Sequence, residues 1–436
     1  MIMESMKILQ ISDIHWGNAS SMVDSFKNLR DGMKGYLEEY KRQNKEKFDY
    51  ILICGDIAFS AQKSQYDKAT DFIKDLCKIA ECKESEVLIV PGNHDKDRNA
   101  QPVSLREALN EYMGRDDKDA DWMLDNSLQG DINSCKFLFE PFREYECFAR
   151  SFGGSGRLTS KLLAEGKISA FSEKDDKMYW KRELSDNLNG FKVVAYGVNS
   201  AFNCDKYDFD FSKEGLAGHK MFLPKLAYAE PRRKDHVINI VMMHHPISFL
   251  AHNDAIEKDL DCRFQLQFFG HVHRTDSNSN NGAIHIYSGA LQPPEDEASA
   301  DVMAYRPVFN ILNLSVKDVS SSESTLVVDL DVIAWDGSTF CKSQEKSKQL
   351  IVAMKRLSLE NQMASTRVTL PDGISKNDII IDFINSIYIE EVINDLKPVF
   401  YNHETSDYIN ALNFIDYVAE KNLWCELWNK LNEYEG

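Results

Sequence analysis

A chain of 436 residues exceeds what one small core needs, and length alone points to two or three folding units. A hydrophobic share of 43% and a charged share of 28% are those of a soluble globular protein, which excludes disordered and collagen-like classes. The formal net charge of −18 disfavours a general polyanion binder, because affinity for a phosphate backbone depends on Lys and Arg displacing counterions.

The nine cysteines are scattered, odd in number and free of CxxC pairs, so neither a disulfide framework nor a zinc knuckle is suggested. Residues 1–6 run into a strand without the basic and apolar regions of a signal peptide, and no apolar stretch approaches membrane-spanning length. The expectation is a cytoplasmic protein with no membrane partner.

Strand patterns at 7–12, 50–55 and 87–92 alternate with long charged periodic segments, which is the pattern of parallel βαβ units. From 96 to about 190 an acidic, helical-looking insertion is expected, including the run 115–121 and the patch Gly153-Gly154-Ser155-Gly156. No strand leads into that patch, so it reads as a turn and not a phosphate loop. Strand signals resume at 191–198, 236–244, 264–270 and 283–289. Runs at 308–316 and 326–335 have the alternation of antiparallel strands and complete the same domain. The polar stretch 358–373 reads as a linker. Beyond it Ile409, Leu412, Ile415 and Val418 form one helical stripe, and Leu423, Trp424, Leu427, Trp428 and Leu431 another. The expected units are a catalytic domain over 1–340, a connecting segment over 341–373, and a helical adaptor or assembly domain over 374–436.

Five short segments follow these strands: Asp13-Ile14-His15, Gly55-Asp56, Gly92-Asn93-His94-Asp95, His244-His245-Pro246 and Gly270-His271-Val272-His273. Together they hold the mixed nitrogen and oxygen donors that two adjacent divalent cations require. In an extended segment residues two apart share a face, so Asp13 with His15, and His271 with His273, are each expected to present two ligands to one site. Asp56 can bridge two cations through its two oxygens, and Asn93 adds a neutral oxygen. Any one segment alone reads as an ordinary turn; five in order, all beyond strand ends of an α/β sheet, argue for one site. His219, His236, His252, His285 and His403 fall outside the segments and read as core or surface histidines.

The five segments resemble the blocks D-x-H, G-D, G-N-H-D/E, H and G-H-x-H of the calcineurin-like metallophosphoesterase superfamily, over residues 1 to about 335. The resemblance implies an α/β fold, the metallophosphoesterase α-β-β-α sandwich, joined here to a small C-terminal α-helical domain. It implies two divalent metal ions, Mn, Fe or Zn: Asp13, His15 and His273 bind one, Asn93, His244 and His271 the other, and Asp56 bridges. His94 becomes a proton donor outside the coordination sphere, and Asp95 a candidate to orient its imidazole. The H-x-P form assigns His244 to the metal and puts His245 beside it. The implied reaction is phosphodiester hydrolysis by attack of a metal-bridging hydroxide.

Gly55-Asp56-Ile57-Ala58-Phe59-Ser60 and the terminal Asp95 of the third block depart from the protein-phosphatase form. Gly197-Val198-Asn199-Ser200-Ala201 and His244-His245-Pro246 are more similar to the bacterial cyclic-nucleotide phosphodiesterase-like branch, which implies a nucleotide-type phosphodiester substrate. Trp16, Asn18, Phe59 and Arg274 adjoin the blocks and are candidates either to contact a base or phosphate or to pack. The alternatives are a DNA or RNA nuclease, which the net charge disfavours, and a non-catalytic metal-binding regulatory or scaffold protein. Phe414-Ile415-Asp416-Tyr417-Val418-Ala419 with Leu423 and Leu427 resembles bacterial effector-associated death-like domains, which implies a protein partner or self-association through the C-terminal helices.

Overall fold

Short, mostly apolar runs form the centre of the molecule. Tyr50–Cys54, Val87–Val90 and Leu266–Phe269 are buried at every residue, as expected for parallel strands covered on both faces. The computed structural model describes residues 4–17, 26–102, 104, 139–152, 179–204, 221–228, 231–280, 282–293, 305–317, 323–355, 370, 374–386, 388–397, 400–403 and 405–435. Asn18, His219, the run 115–121, the patch 153–156 and nearly all of the linker lie outside them.

The chain opens as β1 (Ser5–Ile11), α1 (Lys27–Asn44), β2 (Tyr50–Cys54), α2 (Lys63–Ala80) and β3 (Val87–Val90), with β1, β2 and β3 mutually parallel. After α3 (Arg143–Ala149) come β4 (Tyr179–Leu188), β5 (Phe191–Val198), β6 (Val237–Met243), α4 (Asn253–Arg263), β7 (Leu266–Phe269), β8 (Thr275–Asn280) and β9 (Ala283–Ser288). They form a six-stranded sheet in the order β4-β5-β6-β7-β9-β8, parallel from β5 to β9. β10 (Val308–Lys317), β11 (Glu323–Trp335), β12 (Phe340–Lys342) and β13 (Lys348–Lys355) return to the first sheet and make it seven-stranded, β10 pairing antiparallel with β1.

The inner faces of the two sheets share one core, where Met6, Ile8, Leu52 and Val90 meet Val193, Ala195, Ile240 and Phe268. The outer faces are covered by helices, with Leu9, Ile11, Ile51 and Ile53 under Met33, Leu37, Phe72 and Ile73. This is the expected α-β-β-α sandwich. Two expected boundaries are corrected. β4 belongs to the six-stranded sheet although the insertion was expected to run to 190, and β12 and β13 carry the other sheet past 340 to Lys355. β8 reads Thr-Asp-Ser-Asn-Ser-Asn and so gave no strand signal; it forms because β9 offers it an antiparallel partner.

The last four helices, α5 (Lys376–Asn385), α6 (Ile389–Leu396), α7 (Asp407–Lys421) and α8 (Trp424–Glu435), close on a core of their own: Ile379, Phe383, Val392, Phe414, Val418 and Leu427. Trp424 is buried in it and Trp428 packs against it, so the stripes are bundle core. The bundle meets the sandwich at the segment before β6, where Arg232 lies 5.0 Å from the Phe400 ring and Lys234 pairs with Glu420 at 4.0 Å. No helix among the described residues is long and apolar enough to cross a membrane.

Candidate metal centre

Every block sits just past the carboxyl end of a parallel strand, three from one sheet and two from the other, and the loops that carry them meet at one rim. The loops are stitched together through the main chain. Asp13 N–H donates to Gly55 C=O (3.1 Å), Ile14 and His15 N–H to Asp56 C=O (2.9 Å each), and Gly270 N–H to His244 C=O (2.8 Å).

The extended D-x-H and H-x-H geometry expected from sequence is corrected. β1 ends at Ile11 and β7 at Phe269, and Asp13, His15, Asp56, His271 and His273 all have left-handed φ values, from 46° to 69°. Residues with a Cβ pay for that conformation, and such strain gathers where surrounding contacts fix the backbone for a purpose. Two block glycines have a steric reason. A Cβ on Gly55, at φ +91°, would stand 2.5 Å from His244 Nδ1, and one on Gly92 would stand 2.8 Å from Asp56 Cγ.

The side chains converge as two clusters that share Asp56. In the first, His15 Nε2 lies 3.1 Å from His273 Nε2, 3.8 Å from Asp13 Oδ1 and 3.9 Å from Asp56 Oδ2. In the second, Asn93 Oδ1 lies 3.0 Å from both His244 Nε2 and His271 Nδ1, and His244 Nε2 lies 3.3 Å from Asp56 Oδ2. The donor set fits a pair of divalent cations: imidazole nitrogens face one another and carboxylate oxygens, and Asp13 Oδ1 is buried without a well-formed hydrogen bond. His244 Nδ1 donates to Cys54 C=O at 2.8 Å, which leaves Nε2 as the ligating nitrogen.

The electrostatics follow from burial and from this crowding. Burial, aided by neighbouring imidazoles, lowers His15 and His271 to about 3, so both are neutral and ready to ligate. For His244 burial opposes protonation, but the Asp56 carboxylate outweighs it and raises the group to about 9. Burial also works against ionised Asp13 and Asp56. The imidazoles around them, His273 and His244 for Asp13 and His244 and His94 for Asp56, win and hold both carboxylates below the usual range.

His94 and Asp95 do different things. His94 N–H donates to Asp56 Oδ1 (2.8 Å), and its Nδ1–H is held by the Phe59 carbonyl at 2.7 Å. Asp95 does not orient that imidazole, which corrects the sequence expectation. Its carboxylate accepts from the N–H groups of Ile57 (3.2 Å), Ala58 (3.0 Å) and Gly92 (3.0 Å) and from Tyr66 O–H (2.9 Å). Among the described residues those N–H groups have no other acceptor, and Asp95 is the buried group that reaches them all. Burial and the neighbouring Asp56 charge raise its carboxyl to about 7, against the pull of these bonds.

Trp16 packs: the Arg30 guanidinium lies 4.0 Å over its ring, and Phe72 lies on it at 5.8 Å. Arg274 is exposed and tied to Tyr305 O–H at 2.8 Å. Phe59 is 37% exposed and stacks on His94 with ring centroids 5.1 Å apart, which puts an apolar ring at the mouth of the clusters. His245 is buried, and a ring nitrogen of it lies within 4.8 Å of those of His244 and His271. Burial first, then those two rings, keeps it neutral. Ser200, on the loop after β5, bonds His245 Nδ1 at 3.0 Å. Sequence reasoning quoted Ser200 without giving it a role; its place past the end of a parallel strand was the available signal. His285 pairs with Asp261 at 2.7 Å in the core, away from the blocks, as an ordinary buried histidine.

Comparison with known proteins supplies the family. The profile described as calcineurin-like phosphoesterase matches residues 6–275, more than half of the chain. An uncharacterized metallophosphoesterase-like protein, YydB of Bacillus subtilis, is 24% identical over 297 residues, covering 65% of this chain and 53% of that protein. A probable cyclic nucleotide phosphodiesterase of Fibrobacter succinogenes is 33% identical over 90 residues, covering 21% of this chain and 31% of that protein. The match thus spans about half of one curated relative and a third of the other. A solved structure from Streptococcus pneumoniae, described as a predicted phosphoesterase, aligns over 80% of this chain and 99% of its own at 11% identity, with a TM-score of 0.28. With the profile spanning all five blocks, the chain belongs to the calcineurin-like phosphoesterase family.

Proposed function

We propose that the protein is a binuclear metal-dependent phosphodiesterase acting on a nucleotide-type substrate. The observation that carries the two-metal reading is Asp56 Oδ2, a single carboxylate oxygen facing His15 in one cluster and His244 in the other. Asp13, His15, His273 and Asp56 would hold one ion, and Asp56, Asn93, His244 and His271 the second; Mn, Fe or Zn suits these donors. Bound there, two cations lower the pKa of a water and stabilise the charge that builds on a phosphoryl group.

The chain's own residues do the rest. The ligands orient the phosphoryl group, and the rim of left-handed loops keeps them from relaxing. With His94 Nδ1–H held by Phe59 C=O, Nε2 is the nitrogen left to hold a proton against the leaving oxygen. The exposed Phe59 ring beside it suits a planar base on the leaving side. The nucleotide class is further supported by the 90-residue likeness to the Fibrobacter protein.

The test is a metal-reconstituted panel of a chromogenic phosphodiester, a phosphomonoester, cyclic nucleotides, and single- and double-stranded DNA. Turnover of the diesters and cyclic nucleotides is expected. Preference for DNA would favour a nuclease, and no turnover by fully metallated protein would favour a regulatory or scaffold role.

A further inference from the structure

His245 has a hydrogen-bond account that does not close within the protein. Ser200 Oγ is fully buried and accepts the His245 main-chain N–H at 3.0 Å. The same oxygen lies 3.0 Å from His245 Nδ1, and among the described residues its own hydroxyl proton has no other acceptor. If Nδ1 carried the proton, two groups would be left over: the Ser200 hydroxyl hydrogen and the Nε2 lone pair. If Ser200 instead donates to Nδ1, only one is left over, an Nε2–H. Buried polar groups are paired wherever they can be, so the second arrangement is the stable one.

Nε2 is buried without a hydrogen-bond partner among the described residues, while the His245 ring lies 4.8 Å from the His244 ring and 4.6 Å from the His271 ring, centroid to centroid. A donor with no acceptor beside the second cluster marks where an acceptor oxygen belongs. Resting on the phosphoesterase reading above, we propose that His245 is a substrate-binding residue that donates its Nε2–H to a phosphoryl oxygen seated at the Asn93, His244 and His271 cluster. Ser200 is then its positioning residue, fixing the tautomer. The proposal separates His245 from the metal ligands. With Nδ1 taken up as an acceptor, the His245 Nε2 would bind a cation only by becoming an imidazolate, whereas His244 keeps its Nδ1–H on Cys54 C=O and ligates as a neutral ring.

The experiment uses the full chain with Mn2+ and inorganic phosphate as probes. Nitrogen-15 NMR of the metal-free protein reads the His245 tautomer, elemental analysis reads Mn2+ stoichiometry, and calorimetry reads phosphate affinity of the Mn2+-loaded protein. The wild type is expected to show the Nε2–H tautomer. His245→Leu is expected to keep the full Mn2+ complement and to bind phosphate about tenfold or more weakly, the scale of one lost hydrogen bond to a charged group. His245→Gln, which restores an N–H at similar reach, is expected to recover part of that loss. Ser200→Ala is expected to shift the tautomer population and share the phosphate defect, and Ser200→Thr to restore both.

Loss of one Mn2+ in His245→Leu, an Nδ1–H tautomer in the wild type, or phosphate binding by His245→Leu equal to wild type would each overturn the proposal. Should His245→Leu fail to fold, the wild-type tautomer and the Ser200 variants decide it. A wild type that takes up no Mn2+ overturns the metal-centre reading and this proposal with it. A wild type that binds both probes while His245→Leu binds phosphate equally well overturns the proposal alone.

Discussion

In the proposed reaction Asp56 and His94 have separate tasks, and variants tell them apart. Asp56 Oδ2 faces both clusters, and its Oδ1 accepts the His94 N–H, so the Asp56→Asn variant removes a charge that both proposed metal positions would use. Elemental analysis is expected to find it depleted of both metals and inactive. His94→Ala leaves the ligand atoms in place and is expected to keep its metals while kcat falls by about 10²- to 10⁴-fold, the usual worth of general acid catalysis. Equal metal loss in the two variants would count against this division of roles. The acid–base state of His244 adds a pH signature. In the metal-free protein His244 is raised to about 9, so metal must displace a proton there, whereas His15 and His271, at about 3, offer free nitrogens at any neutral pH. Below about pH 9 the affinity of the second position should therefore rise with pH, by up to about tenfold per unit, and the loss of affinity should come as pH falls. Mn2+ titrations at several pH values between 6 and 8 check it; a second position whose affinity climbs steadily with pH is the expected result, and one that stays flat would count against the raised His244.

Loops beyond the strand ends set the precision of the site, and Asp95 is the clamp between two of them. Its carboxylate receives three main-chain N–H groups and the Tyr66 hydroxyl from the segments after β2 and β3 and from α2. Asp95→Ala strands all four donors in a buried region, and the loss is on the order of 3 kcal/mol, partly offset by removing a carboxyl that burial and Asp56 disfavour when charged. Urea unfolding is expected to show a lower midpoint at unchanged slope, with weakened metal uptake because Asp56 and Asn93 lose their frame. A stability equal to wild type would mean that water replaces the carboxylate at no cost. Gly55 belongs to the same scale: a side chain there must intrude on His244 at a φ of +91°, so Gly55→Ala is expected to impair the second position before the first.

At the scale of the whole molecule the helical bundle touches the sandwich at the end of β6 opposite to the His244 block. It meets the sandwich at Arg232 and Lys234, before β6, while His244 follows the other end of that seven-residue strand, about 23 Å away at the usual rise per residue. The bundle also has a separate core. Truncation after Leu357 is expected to leave metal-dependent hydrolysis of a small diester intact while abolishing any partner capture or self-association; loss of turnover with metals retained would show that the bundle supports the site. The five blocks, the parallel strands β1, β2, β3, β5, β6, β7 and β9, and the helical end were all legible in the sequence. Aliphatic runs and residue types at strand ends are local signals, and the ligand chemistry of Asp, Asn and His does not depend on context. Other features were not legible. β8 is polar and exists only through its partner β9, and the left-handed turns at Asp13 and His271 depend on main-chain bonds from loops distant in sequence. Asp95 serving Ile57 and Ala58, and not its neighbour His94, was decided by which orphaned N–H groups the packed sheets brought to it. Sequence determined which atoms the site has; the tertiary structure decided what each one faces, because hydrogen-bond partners 42 to 258 residues apart are fixed only once both sheets have packed.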